Sequence, residues 1–401
     1  MTSMHQIPFA KHDPVRVGLI GTGNRGTSLL GELCACQGAV ISALADILPE
    51  RLDPQRAVLA ENGRPQPLYF SGSDSAQRLI DQDLDLVVIA TSWLSHAPLA
   101  AAAMEAGKHV AVEVPAAGTV EDCWRLVETS ERTQRHCIML ENCCYGYWEM
   151  LVKRMVLAGK LGTLTHAECA YIHNLRSYLY DMGDHKAWRR QAHTQFNGNL
   201  YPTHGLGPVA KCFQIGAGDA FDYLVSMNSR EAGLSEFRDG YLPAGDPRRE
   251  EIYTCGDMNV SLLRTKLGRT IVLQHDVVTP RTYDRIFLVS GTKGTFRDYP
   301  PRLYLDDVTT SEEEWLDPTP YKAEWEDPLW KEHGADALAA GGHGGMDYLM
   351  ILRLIEIMRE GLPPDSDVYE AAEWSVPGPL SMESAARRSM PLDFPDFRRK
   401  N

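Results

Sequence analysis

The chain has 401 residues, enough for two or three domains that each bury a core, so a peptide-sized module is excluded. Apolar residues make up 44% and charged residues 23%, and no apolar run approaches the roughly 18 residues of a membrane span, so the composition is that of a globular protein. Acidic side chains outnumber basic ones 54 to 40, and a formal charge of -14 offers no general attraction to nucleic acid or anionic lipid.

Along the first 140 residues, short apolar runs at 15–20, 39–45, 84–90, 109–113 and 137–140 read as parallel strands covered on both faces. Helical patterns at 26–36, 49–60, 95–106 and 120–135 separate them, and this alternation predicts a doubly wound α/β sheet. A helix at 149–158 and the turn Gly159-Lys-Leu-Gly162 follow. From there the period changes: 164–172, 223–228, 258–263, 270–277 and 285–290 alternate as strands of a largely antiparallel second sheet. The boundary falls close to residue 145, giving domains at 1–145 and 146–401, with the C-terminal segment able to pack back on the first. The acidic, Pro-rich stretch 298–327 reads as a long surface loop, and a helix over 347–359 ends at Gly361 before Pro363.

Nine cysteines, mostly in apolar surroundings, suggest free thiols in a reducing compartment, and their spacing gives no reason to expect a metal. His173 and His185 also lack a recognisable ligand spacing. The first 14 residues hold no apolar run of signal-peptide length. The chain reads as cytoplasmic as it stands, or as periplasmic or secreted if a leader once preceded Met1.

Directly after the first strand, Gly21-Thr-Gly23-Asn-Arg-Gly26 opens a helix. The first glycine allows the turn, the second lets backbone approach a pyrophosphate, and the third lets helix pack on strand. Twenty residues on stands Asp46, placed to bind ribose hydroxyls, and it is followed by Ile47 rather than an arginine that would take a 2'-phosphate; NAD is the expected cofactor. Trp93-Leu94-Ser95-His96 and Glu113-Val114-Pro115 follow the ends of sheet strands, where ligands bind in open α/β folds, and contact with the nicotinamide ribose is expected from the first of these.

Taken together these residues resemble the superfamily of glucose-fructose oxidoreductase and inositol dehydrogenase, which implies a nucleotide-binding domain followed by an α/β domain whose open sheet faces the cofactor. Dehydrogenases of that kind carry Glu-Lys-Pro after the fifth strand and Asp-x-Gly-x-His in the second domain. Here the corresponding residues are Glu113-Val114-Pro115, and Thr203 and Gly207 at the acid and histidine positions. Glu141-Asn-Cys-Cys-Tyr-Gly146, Trp188-Arg189, Gly198-Asn-Leu-Tyr-Pro-Thr-His-Gly-Leu-Gly-Pro208, Pro280-Arg-Thr-Tyr283 and Gly341-Gly-His-Gly-Gly-Met-Asp-Tyr348 resemble instead glycoside hydrolase family 109, the NAD-dependent retaining α-N-acetylgalactosaminidases. That resemblance implies cofactor contacts at Asn24, Arg25, Asp46, Trp93, Leu94, Ser95, His96, Glu113, Val114, Asn142 and Tyr201. It implies sugar contacts at Tyr171, Arg189, Tyr201, Pro202, Thr203, His204 and Tyr283.

A hydrolase of this type would oxidise the sugar at C3, acidify C2–H, expel the C1 substituent by elimination, add water and reduce the ketone again, so that NAD ends as it began. Valine at 114 carries no proton, which leaves His204, Tyr171, Tyr201 and His343 as candidate acids and bases and Arg189 to orient the sugar or an enolate. His204 reads equally as a backbone-bonded turn residue, His343 as part of a glycine hinge, and Tyr171 as an ordinary sheet aromatic. Net oxidation of a sugar or cyclitol and a two-carboxylate hydrolysis are the competing chemistries. The expected partners are a small-molecule or glycan substrate and further copies of the chain.

Overall fold

The computed structural model describes residues 2–181 and 187–399. The chain divides into two compact units, one drawn from Met1–Tyr147, Glu326–Ser375 and Asp396–Asn401, the other from Trp148–Trp325 and Val376–Pro395. His185 lies outside the described residues.

In the first unit, β1 (Val15–Ile20), β2 (Ala39–Asp46), β3 (Leu68–Ser71), β4 (Leu86–Ile89), β5 (His109–Val112) and β6 (Cys137–Met139) form one sheet in the order β3-β2-β1-β4-β5-β6. Every pairing is parallel. β1 is Val-Arg-Val-Gly-Leu-Ile with Val15, Val17 and Leu19 fully enclosed, the pattern of a strand covered on both faces. The order reverses between β1 and β4, and in open α/β sheets that switch point, at the carboxyl ends of the strands, is where ligands bind. β3 and the short helix Ser75–Ile80 escaped the sequence reading because β3 is a half-exposed edge strand of four residues with no buried alternation.

The helix Met346–Glu360 belongs to this unit because its apolar stripe is needed there. Met350, Ile351, Leu354, Ile355 and Met358 share one core with Val17 and Leu19 of β1 and with Leu29 and Leu33 of the helix Asn24–Ala35. Each such side chain contributes about 1.5–3 kcal/mol on burial, enough to fasten a segment more than 200 residues downstream of the sheet. The helix stops at Gly361, whose φ of +71° makes it a left-handed cap.

In the second unit, β7 (Leu164–Ile172), β8 (Phe221–Asn228), β9 (Asn259–Thr265), β10 (Thr270–Asp276), β11 (Leu288–Gly291), β12 (Gly294–Arg297), β13 (Arg302–Leu305) and β14 (Leu392–Asp393) form an eight-stranded sheet ordered β13-β12-β11-β7-β10-β9-β8-β14. Only the β7–β10 pair is parallel. The mixed α/β class with a mostly antiparallel second sheet therefore agrees with the two hydrophobic periods.

Two expectations need correction. The 298–327 stretch is not all loop, because β13 pairs with β12 and turns Leu303 and Leu305 fully inward; the surrounding charges mask a four-residue alternation. The strand expected over 285–290 starts only at Leu288, because Ile286 and Phe287 adopt positive φ (64° and 40°), which interrupts a ladder and leaves an isolated bridge between Ile172 and Asp284. All nine cysteines are free thiols, and eight of them are buried.

Candidate functional site

The glycine loop of the first unit has the geometry its sequence requires. Gly21 sits at φ +89°, and a Cβ there would lie 2.5 Å from the Ala90 carbonyl oxygen; on Gly26 it would lie 1.8 Å from the carbonyl oxygen of Gly21. Neither position accepts a side chain. At Gly23 the tight neighbour is the flexible Arg51 guanidinium, 2.6 Å from a built Cβ, so the backbone there is open to a ligand once Arg51 moves. Asn24 and Arg25 occupy the first turn of the helix Asn24–Ala35, whose unpaired amide hydrogens and dipole favour an anion. Asp46 ends β2 with 7% exposure, its Oδ2 accepting from the Thr22 amide (2.8 Å) and hydroxyl (3.2 Å) and its Oδ1 from the Leu48 amide (3.0 Å). Ile47 beside it is 66% exposed and offers no cation to a 2'-phosphate. A loop that only glycines can line and a carboxylate at the next strand end fit NAD.

Trp93, Leu94 and Ser95 open the helix Trp93–Glu105 just after β4, with Ser95 Oγ donating to the Ser92 carbonyl at 2.7 Å. His96 differs from its expected part. It is 1% exposed, with Nδ1 2.8 Å from the Pro115 carbonyl and Nε2 3.1 Å from the Thr91 carbonyl. Burial pushes its pKa down, and the neutral ring donates its single N–H to one of these two carbonyls while the other nitrogen is enclosed beside the second. Val114 is 3% exposed, so neither charge nor mobility replaces the lysine of the dehydrogenases at this position.

Charge in this unit converges on Arg25. Its Nε donates to Glu113 Oε1 (2.7 Å), and its two terminal nitrogens donate to Asp347 Oδ2 (2.6 Å) and Oδ1 (3.0 Å). Asn142 Nδ2 and His343 Nδ1 reach the same Asp347 carboxylate, each at 2.7 Å. Asp347 is fully enclosed; burial opposes its ionisation, but His343 and Arg25 outweigh that and hold it well below the usual carboxylate range. Glu32, buried nearby, is pushed up to about 7 by burial and by the Asp347 charge. The sequence pointed to Arg25, Asn142, Glu113 and His343 and missed Asp347, Glu32 and Arg51.

In the second unit the predicted sugar residues gather around Tyr171 on β7. Its ring centroid lies 4.7 Å from Tyr201, 5.4 Å from His204, and 6.3 Å from both His275 and Tyr283. Parallel register pairs Tyr171 with His275 of β10. The helix Thr203–Phe213 brings His204 to them because Gly205 lies flat on β7, where a Cβ would sit 2.7 Å from the Ala170 nitrogen. Tyr171 Oη is 3.0 Å from His173 Nδ1, and Arg189 donates a hydrogen bond to the same hydroxyl oxygen. The Arg189 guanidinium stands 5.4 Å from the Tyr201 ring centre. Arg190 is turned away to pair with Glu251 at 2.8 Å, so the two arginines of the dipeptide have different partners. Burial, then Arg189, pushes His193 down to about 4, and burial, then His193 and Arg189, pushes His275 down to about 3, so both are neutral. Pro202 is buried and Thr203 is 0% exposed, its Oγ1 without a partner among the described residues; Thr203 has no surface to offer a sugar because the helix turns it inward. Tyr283 is 38% exposed. His173, His193 and His275 were not singled out as site residues, and only the β7–β10 register would have revealed the last.

Comparison with known proteins completes the description. The model of glycosyl hydrolase 109, C-terminal domain, matches residues 145–401, and that of an oxidoreductase family with an NAD-binding Rossmann fold matches 15–141. A glycosyl hydrolase family 109 protein of Solibacter usitatus is 53% identical over 99% of this chain and 91% of its own length. Another, from Saccharopolyspora erythraea, is 46% identical over 99% and 86%. Among solved structures, levoglucosan dehydrogenase in complex with NADH and levoglucosan superposes with a TM-score of 0.72 at 19% identity, covering 95% of this chain and all of that one, which shows a shared fold. The first unit is thus an NAD-binding Rossmann domain. Among the described residues no helix is long and apolar enough to cross a membrane.

Proposed function

From the premise that this chain belongs to glycosyl hydrolase family 109, we propose that it hydrolyses terminal α-N-acetylgalactosaminides, or closely related hexosaminides, with retention and without net redox change. The observation that carries this reading is the hydrogen bonding of Tyr171, whose hydroxyl lies 3.0 Å from His173 Nδ1 and is bonded by the Arg189 guanidinium at once. When bound, NAD supplies an acceptor for the hydride at sugar C3 and returns that hydride at the end.

A ketone at C3 acidifies C2–H, so a modest base suffices. Tyr171 Oη takes that proton as its own passes to His173 Nδ1, and Arg189 stabilises the oxygen charge that develops. His204 protonates the departing C1 oxygen, then takes a proton from the water that adds at C1 on the same face. Tyr171 returns its proton to C2. Tyr201 and Tyr283 hold the ring, while on the first unit Asp46 would hold the ribose of a bound NAD and Arg25, Asn24 and the glycine loop its pyrophosphate. Buried Val114 supports a division of labour in which the Rossmann unit binds the dinucleotide and, through His343 Nε2, takes the C3 hydroxyl proton as the hydride leaves and returns it on reduction, while the second unit moves the protons at C1 and C2.

Purified protein incubated with p-nitrophenyl α-N-acetylgalactosaminide, with no NAD added, tests this directly. Release of nitrophenol without accumulating NADH supports it. Stoichiometric NADH with a free sugar or cyclitol would indicate a dehydrogenase, and turnover unchanged after NAD is stripped would indicate a two-carboxylate hydrolase. The open face of the second sheet exposes Met227 and Leu262 (66% and 51%) beside half-buried Val225 and Val272, which supports a homo-oligomer; sedimentation at micromolar concentration checks it.

A further inference from the structure

The Gly341–Tyr348 motif reads in sequence as a glycine hinge around a histidine, yet its geometry is that of a closely packed turn fastened to Asp347. Gly341, His343, Gly344 and Gly345 all have positive φ (95°, 50°, 70° and 94°). A Cβ on Gly342 would lie 2.3 Å from Glu32 Oε1 and 2.8 Å from Asp347 Cβ; on Gly345 it would lie 2.9 Å from Ala337 Cβ. Gly342 and Gly345 therefore serve close packing, while Gly341 and Gly344, where a Cβ would meet nothing within 4 Å, serve the positive φ of the turn. They fold the chain back so that His343 lands on the residue four positions ahead, Asp347, at the start of the helix Met346–Glu360.

Asp347 is the one group that touches Arg25, Asn142 and His343, through four hydrogen bonds between 2.6 and 3.0 Å. Arg25 belongs to the cofactor loop, and Asn142 follows β6 at the carboxyl edge of the same sheet. A bidentate carboxylate fixes the plane of a guanidinium as well as its position. Because the Asp347 carboxylate only accepts, it also fixes the tautomer of His343: Nδ1 carries the proton and Nε2 is left as the basic nitrogen, on a side chain that is 58% exposed.

We propose that Asp347 is a positioning residue for the reaction, holding Arg25 and Asn142 in register for the dinucleotide while orienting His343 as an Nε2 base. This rests on the family 109 reading above for what His343 would do, but the effect on the dinucleotide does not.

The test uses Asp347→Asn, Asp347→Glu and His343→Ala in the full chain, each checked for fold by circular dichroism. NAD affinity is measured by calorimetry, and turnover is measured at saturating NAD. Asp347→Asn should weaken NAD by about 10-fold or more, the scale of a lost charge-assisted pair, and should also lower kcat when NAD is saturating. Asp347→Glu should recover part of the affinity. His343→Ala should lower kcat with NAD affinity within twofold of the parent. A folded Asp347→Asn whose NAD affinity stays within twofold of the parent would overturn the proposal, whatever its melting temperature. If Asp347→Asn does not fold, nitrogen NMR of His343 in the unaltered protein decides: protonated Nδ1 is expected, and protonated Nε2 with bare Nδ1 would contradict it. Should the unaltered protein hydrolyse no glycoside at all, the family reading fails while the affinity and NMR results still judge Asp347.

Discussion

Around Arg25 the first unit gathers charges, with Glu113 and Asp347 both within 3.0 Å and Asp347 held ionised; around Tyr171 the second unit gathers rings, five of them within 6.3 Å, with Arg189 as the cation bonded to the tyrosine oxygen. The contrast teaches what each can do. Ion pairs in a buried setting have their protonation fixed and suit holding a ligand, because the groups that would meet it are already oriented. Phenol and imidazole groups bonded to one another can pass a proton along an existing hydrogen bond, with a guanidinium beside the oxygen to stabilise the charge that develops, which suits chemistry. The comparison breaks if changes to the carboxylates of the first place and to the phenol and imidazole groups of the second have the same consequence.

The largest expected effect lies on the aromatic side. His204→Ala should lower turnover by about 100- to 10,000-fold, the usual contribution of a positioned acid or base, with NAD still bound; a loss under about fivefold would make His204 a packing residue of its helix. Tyr171→Phe keeps the ring contacts and removes only the hydroxyl, so a drop of about 100-fold or more with unchanged NAD affinity is expected. On the binding side, Asp46→Ala should cost about 10- to 150-fold in NAD affinity, the equivalent of roughly 1.5–3 kcal/mol for a charge-assisted hydrogen bond. Part of that loss comes from freeing the Thr22 and Leu48 amides that Asp46 now accepts. Calorimetry showing unchanged affinity would move the ribose site elsewhere.

The smallest effect should be common to both units. Burial pushes His109 down to about 3 and His136 to about 4 in the first, and His193 to about 4 and His275 to about 3 in the second. A histidine whose folded pKa lies below its unfolded value of about 6.5 stabilises the fold fully above that value and loses the contribution as pH falls toward the folded pKa. These four histidines should therefore pull the melting temperature down as pH falls from about 6.5 to about 4, opposed by Glu32, whose pKa raised to about 7 makes it give up stability as pH rises toward that value. Imidazole resonances of these four residues that titrated near 6.5 would contradict this.

How much was legible follows from how local each constraint is. The glycine loop and Asp46 could be read because backbone geometry at Gly21 and Gly26 forbids every other residue, and the acid sits at a fixed distance along the same strand–helix–strand unit. His204 could be found through its motif, since Gly205 must touch β7. Asp347 was hidden because it stands 322 positions from the Arg25 it serves, and no periodicity links the two. His96 misled because a histidine beside a strand end looks the same in sequence whether its nitrogens face a ligand or, as here, two carbonyl groups. β13 was obscured by charged neighbours that sit on its outward face.

The central claim is that the C2–H bond of the sugar breaks and reforms during glycoside cleavage. Turnover of an α-N-acetylgalactosaminide in deuterated water, with NMR of the released sugar and a parallel run on C2-deuterated substrate, tests it most directly. The account predicts deuterium at C2 of the product, or, if the base is shielded from solvent, a primary isotope effect with the labelled substrate. Product formed over many turnovers with neither exchange at C2 nor an isotope effect would contradict it.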